Sequence, residues 1–296
     1  MHYKKFIRYK LLVSLASLLI VLNGYNQRLL PKENSVKFYV DPATNSDDPE
    51  IRMAYGLNIV PPWSDGGSVF VNLPEHLEYM PGTKGIARHH DKRLNVWQVN
   101  SDSTEARYAV ESLTEPGVFF SAKAKSDQQQ AFFELTITNH TEKTFHSLRP
   151  MFCFQYNLLK GFPLKNTNNF SNTFIIINGK PVQVSDIAVK NPGAIARMAQ
   201  VGSCKDDHNW WAEEMGGMIE QKIDAAYTIL TTLHDDRKII LKWTPGKNFL
   251  SNSAIPCIHA DPCIGDLEPG HSKTAIGELV FTKASMKELT KKFPVK

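Results

Sequence analysis

The amino-acid sequence predicts an all-β protein, mainly antiparallel, built as a large β-sandwich or supersandwich with one short C-terminal helix. Short β-branched and aromatic runs separated by turn residues recur along the 296 residues, a pattern typical of antiparallel sheets. No fixed internal repeat indicates a propeller or a solenoid. A clear helical signal runs from Ser285 to Phe293, where Ser285 and Glu288 form a capping box.

The strands are predicted from apolar or alternating runs that end at turn residues. In chain order these runs are 36–40, 51–60, 69–71, 94–99, 108–113, 118–124, 132–138, 148–156, 174–177, 182–184, 226–233, 238–243 and 274–281. The Asn178-Gly179 pair is a strong hairpin signal between two of them. The stretch 73–95 lacks apolar periodicity, and an irregular stretch of that length inside a compact domain is often functional.

Residues 1–26 are interpreted as a signal peptide, and residues 27–296 as a single β-sandwich domain. Basic residues at 4, 5, 8 and 10 precede an apolar run at 11–22, which is the pattern of a secretory signal. The run is shorter than the roughly 20 residues that span a bilayer. An uncleaved anchor is the alternative, and it would be the only contact with a membrane. The predicted location is therefore secreted or periplasmic.

Charge excludes one class of partner. The leader holds four of the 34 basic residues and no acids, so 30 basic residues face 30 acidic ones in the rest of the chain. Nucleic-acid binding requires an excess of Lys and Arg, and we predict no nucleic-acid partner.

The four cysteines form an even set, as an oxidising compartment favours. Cys257 and Cys263 are close enough in sequence to close a small loop, so a disulfide between them is predicted; four buried free thiols are the alternative. No cysteine spacing matches a zinc motif. The sequence predicts neither a bound metal nor a cofactor.

Specific catalytic signatures are absent: there is no GxSxG elbow, phosphate loop, HExxH or dinucleotide fingerprint. The segment Cys257-Ile-His259-Ala-Asp261 is the first of three polar clusters. On an extended chain its Cys, His and Asp lie on one face. A histidine beside a carboxylate suits general acid–base chemistry, so His259 and Asp261 are predicted catalytic residues. A structural histidine at a strand end is the alternative.

The second cluster is His208-Asn-Trp210-Trp211, followed by Glu213. Sugars present apolar C–H faces surrounded by hydroxyl groups. A flat indole can pack against the C–H face while polar side chains next to it bind the hydroxyl groups. We predict that Trp210, Trp211 and Glu213 bind substrate and that His208 takes part in proton transfer. Packing of one tryptophan in the core is the alternative.

The third cluster is Arg88-His89-His90-Asp91. Arg88 and His89 are predicted to contact substrate, because an anion or a metal would suit these side chains. Adjacent histidines diverge on an extended chain, so at most one joins a given site. A solvated loop is the alternative.

Two segments resemble a known family. FFELTITNHTEKTFHSLRPMFCFQY, ending at Tyr156, resembles a strand pair of galactose-mutarotase-like β-supersandwich proteins. The segment from Ile258 to Phe281, with its HADP and PG motifs, resembles uncharacterised secreted bacterial proteins encoded among carbohydrate-degradation functions. The resemblance implies sugar handling by a histidine acid and a glutamate base, but no stretch here matches the family's site motifs, so neither role is carried over.

The sequence thus predicts an exported carbohydrate-binding protein that is a candidate sugar-active enzyme, either a mutarotase-like isomerase or a lyase or hydrolase accessory, with a His/Asp site. Its partner would be a mono- or polysaccharide. A non-catalytic extracellular binding module is the first alternative. A metal-dependent hydrolase using His89, His208, His259 and Asp261 is the second.

Overall fold

The computed structural model describes residues 35–41, 53–63, 67–80, 87–89, 93–164, 169–202, 217–234 and 236–292. The part of the chain from Ser35 to Lys296 forms one compact unit. The predicted leader lies outside the described residues. Within the ranges described, no helix has the length and hydropathy needed to cross a membrane.

Strands dominate the described residues. The first ten are β1 (Lys37–Tyr39), β2 (Gly56–Val60), β3 (Val69–Asn72), β4 (Leu77–Met80), β5 (Ala87–His89), β6 (Gln98–Val99), β7 (Glu105–Glu111), β8 (Val118–Ser126), β9 (Gln130–Asn139) and β10 (Phe145–Pro150). The next ten are β11 (Cys153–Gln155), β12 (Thr173–Ile177), β13 (Lys180–Gln183), β14 (Ala196–Gln200), β15 (Tyr227–Thr231), β16 (Lys238–Thr244), β17 (Gly246–Asn252), β18 (Cys257–Pro262), β19 (Gly265–Leu267) and β20 (Ser272–Thr282). One α-helix, α1 (Met286–Lys292), follows.

The strands form three sheets, and the prediction of an all-β, mainly antiparallel fold is confirmed. Seven strands pair in the order β1-β2-β3-β11-β18-β17-β14 and nine in the order β13-β12-β15-β16-β20-β9-β8-β7-β6. A four-stranded sheet has the order β19-β10-β4-β5. Neighbouring strands in these sheets run antiparallel, as in the central pairs β17–β18 and β16–β20.

The main core contains apolar side chains of both large sheets. Ile258 and Phe249 of the seven-stranded sheet are fully buried in one cluster with Leu241 and Ala275 of the nine-stranded sheet. These residues alternate along their strands with residues of the opposite face, as a pleated strand requires. The seven-stranded sheet therefore uses one face for the core.

One close approach in this core requires a glycine. Gly277 of β20 lies opposite Trp243 of β16, and a Cβ atom at Gly277 would lie only 2.8 Å from the Trp243 indole. The indole is 2% exposed, so it occupies the space that the missing side chain leaves. Trp243 also contacts the Phe152 ring edge-on at 5.3 Å.

Local signals in the sequence match the structure at two places. The Ser285 backbone N–H donates to the Glu288 carboxylate at 2.7 Å, and the Glu288 N–H donates to Ser285 Oγ at 3.3 Å, so the capping box begins α1. Asn178 and Gly179 have positive φ of 51° and 71° and join β12 to β13. Those φ values are the conformation that a tight hairpin turn requires.

The opposite face of the seven-stranded sheet, which we call the polar face, positions the candidate site. Its register places amide, thiol and ionisable side chains on the same side of six adjacent strands. Together they are Asn58, Asn72, Cys153, Gln155, Cys257, His259, Asp261, Asn248, Asn252 and Gln200. Most of these side chains are buried, and an interior packed with hydrocarbon alone needs no such groups, so this composition makes the polar face the candidate site.

Candidate functional site

The CxHxD triplet lies on one face of β18, as its spacing predicts. Cys257 Sγ lies 3.8 Å from His259 Nε2. On the other side of the ring, His259 Nδ1 lies 3.5 Å from Asp261 Oδ1. Cys257, His259 and Asp261 are all buried, with exposures of 4%, 3% and 0%. The histidine is therefore enclosed, but by polar groups rather than by hydrocarbon.

Asp261 is held as a carboxylate by donors on several sides. Its Oδ1 accepts the Phe152 backbone N–H at 2.9 Å, and its Oδ2 accepts the Asn248 side-chain N–H at 2.7 Å. Burial alone raises the pKa of Asp261, but His259, Arg149 and the Phe152 N–H outweigh burial and lower it below its ordinary value. The carboxylate is therefore ionised across the physiological pH range.

The same pair keeps His259 protonated. Burial lowers the pKa of His259, but Cys153 and Asp261 outweigh it and raise the pKa well above its ordinary value. A hydrogen bond with Cys257 and burial raise the pKa of the Cys153 thiol, so its sulfur carries no charge near neutral pH. An uncharged Cys153 sulfur attracts the imidazolium only weakly. The Asp261 carboxylate is therefore the main remaining cause of the raised His259 pKa.

A second buried ion pair lies beside the first. Arg149 of β10 is the register partner of Glu78 on β4, and its guanidinium bonds the Glu78 carboxylate. The guanidinium also donates to Asn248 Oδ1 at 3.4 Å, so Asn248 links it to Asp261. Both charges are 0% exposed. Two carboxylates thus face an imidazolium and a guanidinium, and the charges balance, as a buried cluster requires.

Glu75 connects this cluster to solvent. Its carboxylate Oε2 lies 4.0 Å from His259 Nε2, and its side chain is 30% exposed. The segment that carries it is fixed to the sheet, because the Glu75 N–H donates to the Met151 carbonyl at 2.7 Å and the Met151 N–H donates to the His76 carbonyl at 2.9 Å. His76 Nε2 in turn lies 3.2 Å from Glu78 Oε1. The polar groups therefore form one continuous network with an opening at Glu75.

Two side-chain amide atoms on the polar face have no hydrogen-bond partner within the described part of the chain. They are the Asn58 nitrogen and the Asn72 oxygen. Asn58 and Asn72 are 4% and 8% exposed, and the β2–β3 register places them on neighbouring strands. Buried polar groups in folded proteins are almost always paired. An unpaired donor and an unpaired acceptor on diagonal positions of neighbouring strands make this part of the face suited to a polar ligand.

The structure tests only part of the predicted site. His208, Trp210, Trp211 and Glu213 lie outside the described residues. Arg88 and His89 fall on β5, where the backbone alone is described, and Arg88 is the register partner of Glu78. The backbone of β5 thus runs beside the strand that carries Glu78.

The predicted disulfide between Cys257 and Cys263 is wrong. Cys257 is a buried free thiol, whereas Cys263 is disulfide-bonded. Cys257 begins the extended strand β18 and Cys263 directly follows its last residue, and six residues of a strand span about 20 Å. A disulfide needs Cα atoms within about 7 Å, so their closeness in sequence was misleading.

Sequence reasoning missed Glu75, Glu78, Arg149, Asn248 and Cys153. Glu75 belongs to the irregular stretch 73–95, in which only Arg88 and His89 were predicted to contact a substrate. Glu78, Arg149 and Cys153 each lie between apolar neighbours in the sequence, whereas Asn248 lies between Lys247 and Phe249. A charged residue inside a strand that is otherwise buried, such as Arg149, is the signal that could have revealed them.

A surface groove of about 600 Å³ lies elsewhere, along β6, β7 and β8. Its side chains include Arg107, Lys123 and Lys125. Two of its charges pair with exposed acids, Lys123 with Glu134 and Lys125 with Glu105. These contacts are typical of a solvated sheet surface, and we place the candidate site at the polar face instead.

Comparison with known proteins gives structural matches alone. No family model matches the chain, and no curated protein sequence matches it. Among solved structures, a galactose mutarotase-like protein from Lactobacillus casei has a TM-score of 0.43 at 10% identity, covering 78% of this chain and 95% of its own. Another, from Clostridium acetobutylicum, has a TM-score of 0.41 at 9% identity, covering 85% and 99%.

The chain is similar to galactose mutarotase-like proteins. It is also similar to a polysaccharide lyase, with a TM-score of 0.42 at 13% identity over 85% of this chain, which spans about a third (33%) of that lyase. Overlap of this extent does not determine a reaction. Only this chain's own side chains bear on its function.

Proposed function

We propose that the protein is an exported carbohydrate-binding protein whose ligand lies on the polar face, next to Glu75. The observation that carries the proposal is the pair of unpartnered atoms on Asn58 and Asn72. Sugar hydroxyls both accept and donate hydrogen bonds, so a saccharide with several hydroxyls complements a free amide N–H and a free amide oxygen on neighbouring strands.

We further propose a proton-transfer role for His259 behind Glu75. Interconversion of sugar anomers requires one group to take the anomeric hydroxyl proton and another to protonate the ring oxygen. The Glu75 carboxylate suits the first task and the His259 imidazolium the second, while Asp261 orients the imidazole. Glu75 is the partly exposed member, so it would meet the sugar first.

One observation favours a binding module without catalysis. His259 is only 3% exposed, and a general acid must come within hydrogen-bond reach of its substrate. In that case the charged network would hold the polar face in shape, and the free amide groups would account for ligand binding alone.

Two observations support export. The N-terminal sequence has the composition of a secretory signal, and Cys263 is disulfide-bonded. Disulfides persist in oxidising compartments and are rare in the cytosol. We propose a secreted or periplasmic location on these grounds.

Calorimetric titration tests the binding proposal. The probes are D-galactose, D-glucose, and neutral and uronic-acid oligosaccharides. We expect binding of at least one class, weakened about 5- to 10-fold by Asn58→Ala or Asn72→Ala, because each variant loses about one hydrogen bond. Glu134→Ala, on the exposed side of β9, is the matched control. Equal affinities in all variants would contradict the proposal.

Polarimetry on the same sugars tests the catalytic part. The wild-type protein should accelerate interconversion of the anomers, and His259→Gln should reduce the rate about 100-fold or more, the usual contribution of general acid catalysis. His271→Gln alters an exposed histidine on a turn and should leave the rate unchanged. Unchanged turnover in a folded His259→Gln variant would leave the binding module as the function.

A further inference from the structure

Three soft or borderline donors meet on the polar face. The Sγ atoms of Cys153 and Cys257 and a ring nitrogen of His259 all lie within 4.8 Å of one another. Cys153 is the register partner of His259 across the β11–β18 pair, and Cys257 is two residues before His259 on the same face. The sheet itself therefore fixes the three donors, and both thiols are free.

The separations suit a small metal ion. Tetrahedral zinc lies about 2.3 Å from sulfur and about 2.0 Å from nitrogen, which separates neighbouring ligand atoms by about 3.5 to 3.8 Å. Cys257 Sγ is already 3.8 Å from His259 Nε2. The widest separation in the group, at most 4.8 Å, needs to shorten by about 1 Å, which side-chain rotation supplies.

The second nitrogen of His259 has the partner that metal-binding histidines usually have. Nδ1 lies 3.5 Å from the Asp261 carboxylate, while Nε2 points towards Cys257 and Glu75. A carboxylate behind a histidine fixes the tautomer and makes the other nitrogen a better ligand. Asp261 is itself held by Phe152 and Asn248, so the outer partner is also oriented.

Glu75 lies next to the three donors on the side nearer solvent, although it is not within 4.8 Å of all of them. Its Oε2 lies 4.0 Å from His259 Nε2, and its side chain is 30% exposed. With two sulfurs and one nitrogen bound, the Glu75 carboxylate would complete a tetrahedral set. If the carboxylate stays away from the cation, water takes the fourth position. A cation can reach the two buried thiols from the Glu75 side.

We propose that Cys153, Cys257 and His259 form a binding site for a thiophilic divalent cation such as Zn²⁺, with Glu75 as the fourth donor. Binding replaces both thiol protons and the imidazolium proton, all of which pass to solvent, and forms two metal–sulfur bonds and one metal–nitrogen bond. The bound cation occupies the Nε2 lone pair that the proposed proton transfer uses. The protein with the cation bound is therefore expected to bind sugar without catalysing proton transfer.

Cobalt is the direct probe, because Co²⁺ takes zinc's place in tetrahedral sites and reports its ligands by colour. The full chain, reduced and stripped of metal with a chelator that is then dialysed away, is titrated with Co²⁺. We expect one equivalent per chain, intense visible bands of a tetrahedral ion, and a near-ultraviolet band from thiolate-to-cobalt charge transfer. Zn²⁺ added afterwards should bleach all of these bands.

Variants assign the ligands. Cys153→Ser and Cys257→Ser should each weaken the charge-transfer band, and Asp261→Asn should lower the affinity for Zn²⁺ about 10- to 100-fold, as loss of an outer-shell partner does. His271→Ala, at an exposed histidine, should change nothing. Circular dichroism identifies any variant that fails to fold, and the wild-type cobalt spectrum decides the proposal without variants.

Two results would overturn the proposal: Co²⁺ bound without a thiolate band, or a disulfide between Cys153 and Cys257 in the protein with no metal uptake after reduction. The proposed sugar site and the proposed metal site share His259, but an experiment can contradict either proposal without contradicting the other. Metal uptake is measured without sugar, and sugar binding is measured in the presence of a chelator.

Discussion

His259 Nδ1 lies 3.5 Å from Asp261 Oδ1, and the two side chains are 4% and 0% exposed. They are two residues apart on one strand, so the pleat alone makes them neighbours. Because the surrounding low-dielectric interior strengthens their attraction, each holds the other in its charged form.

Asp261→Asn should lower the pKa of His259 in the metal-free protein. The variant keeps the shape of the side chain but removes the negative charge that opposes burial. A titration of the His259 ring signals by NMR measures the change. Asp266→Asn, which removes the acid paired with His146, is the control and should leave His259 unchanged. A His259 pKa that is equal in wild type and Asp261→Asn would contradict the ion pair.

The stability that this pair contributes should depend on pH in a defined window. The Asp261 pKa is lowered by folding, so its contribution is present above its ordinary value of 3.8 and is lost as pH falls through the lowered value. The His259 pKa is raised, so its contribution is complete below 6.5 and is lost as pH rises through the raised value. The stability difference between wild type and Asp261→Asn should therefore be greatest between pH 3.8 and 6.5. Urea unfolding at a series of pH values measures it, and a difference that does not vary with pH would be inconsistent with the assignment.

Single replacements in the Arg149–Glu78 pair should be costly. Arg149→Met or Glu78→Leu leaves one buried charge without its main partner and should reduce the free energy of unfolding by about 3 to 5 kcal/mol. The double variant should lose much less than the sum, because it leaves neither charge behind. Denaturant unfolding of all four proteins completes the cycle. Additive losses would show that the pair is not coupled.

Gly277→Ala should destabilise the sandwich by about 1 to 3 kcal/mol through overpacking. The added Cβ would meet the Trp243 indole at 2.8 Å, and the fully buried indole has little room to move. Gly202→Ala is the matched control, because its Cβ would meet its nearest neighbour at 3.8 Å, an ordinary contact. Thermal unfolding compares the two, and equal midpoints would argue against this account of the core.

The fold class followed from the sequence because its signals are local. Alternation, turn residues and the Ser285–Glu288 capping box depend on neighbours within a few residues, and all are realised. The sequence predicted fewer strands than the structure contains, because local signals do not show where the chain leaves one sheet and enters another. Residues 148–156 read as one strand, yet Pro150 ends β10 and Cys153 begins β11 in a different sheet.

The candidate site could be predicted only in part from the sequence, because most of its residues are brought together by pairing between distant strands. The spacing of Cys257, His259 and Asp261 was enough to place them on one face. Cys153 and Arg149 come from strands more than a hundred residues earlier in the chain than His259, and no local pattern predicts that register. The Cys257–Cys263 disulfide failed because distance along the sequence was taken for distance in space.

The central claim is that the polar face, and not the charged groove along β6, β7 and β8, receives a saccharide. Side-chain amide NMR signals of Asn58, Asn72 and Asn100, recorded while D-galactose, D-glucose and the oligosaccharides are added, test it directly. We predict that Asn58 and Asn72 shift with a binding saccharide, while Asn100, which lines the groove, stays in place. A shift of Asn100 alone, or no shift with any of these sugars, would contradict the account.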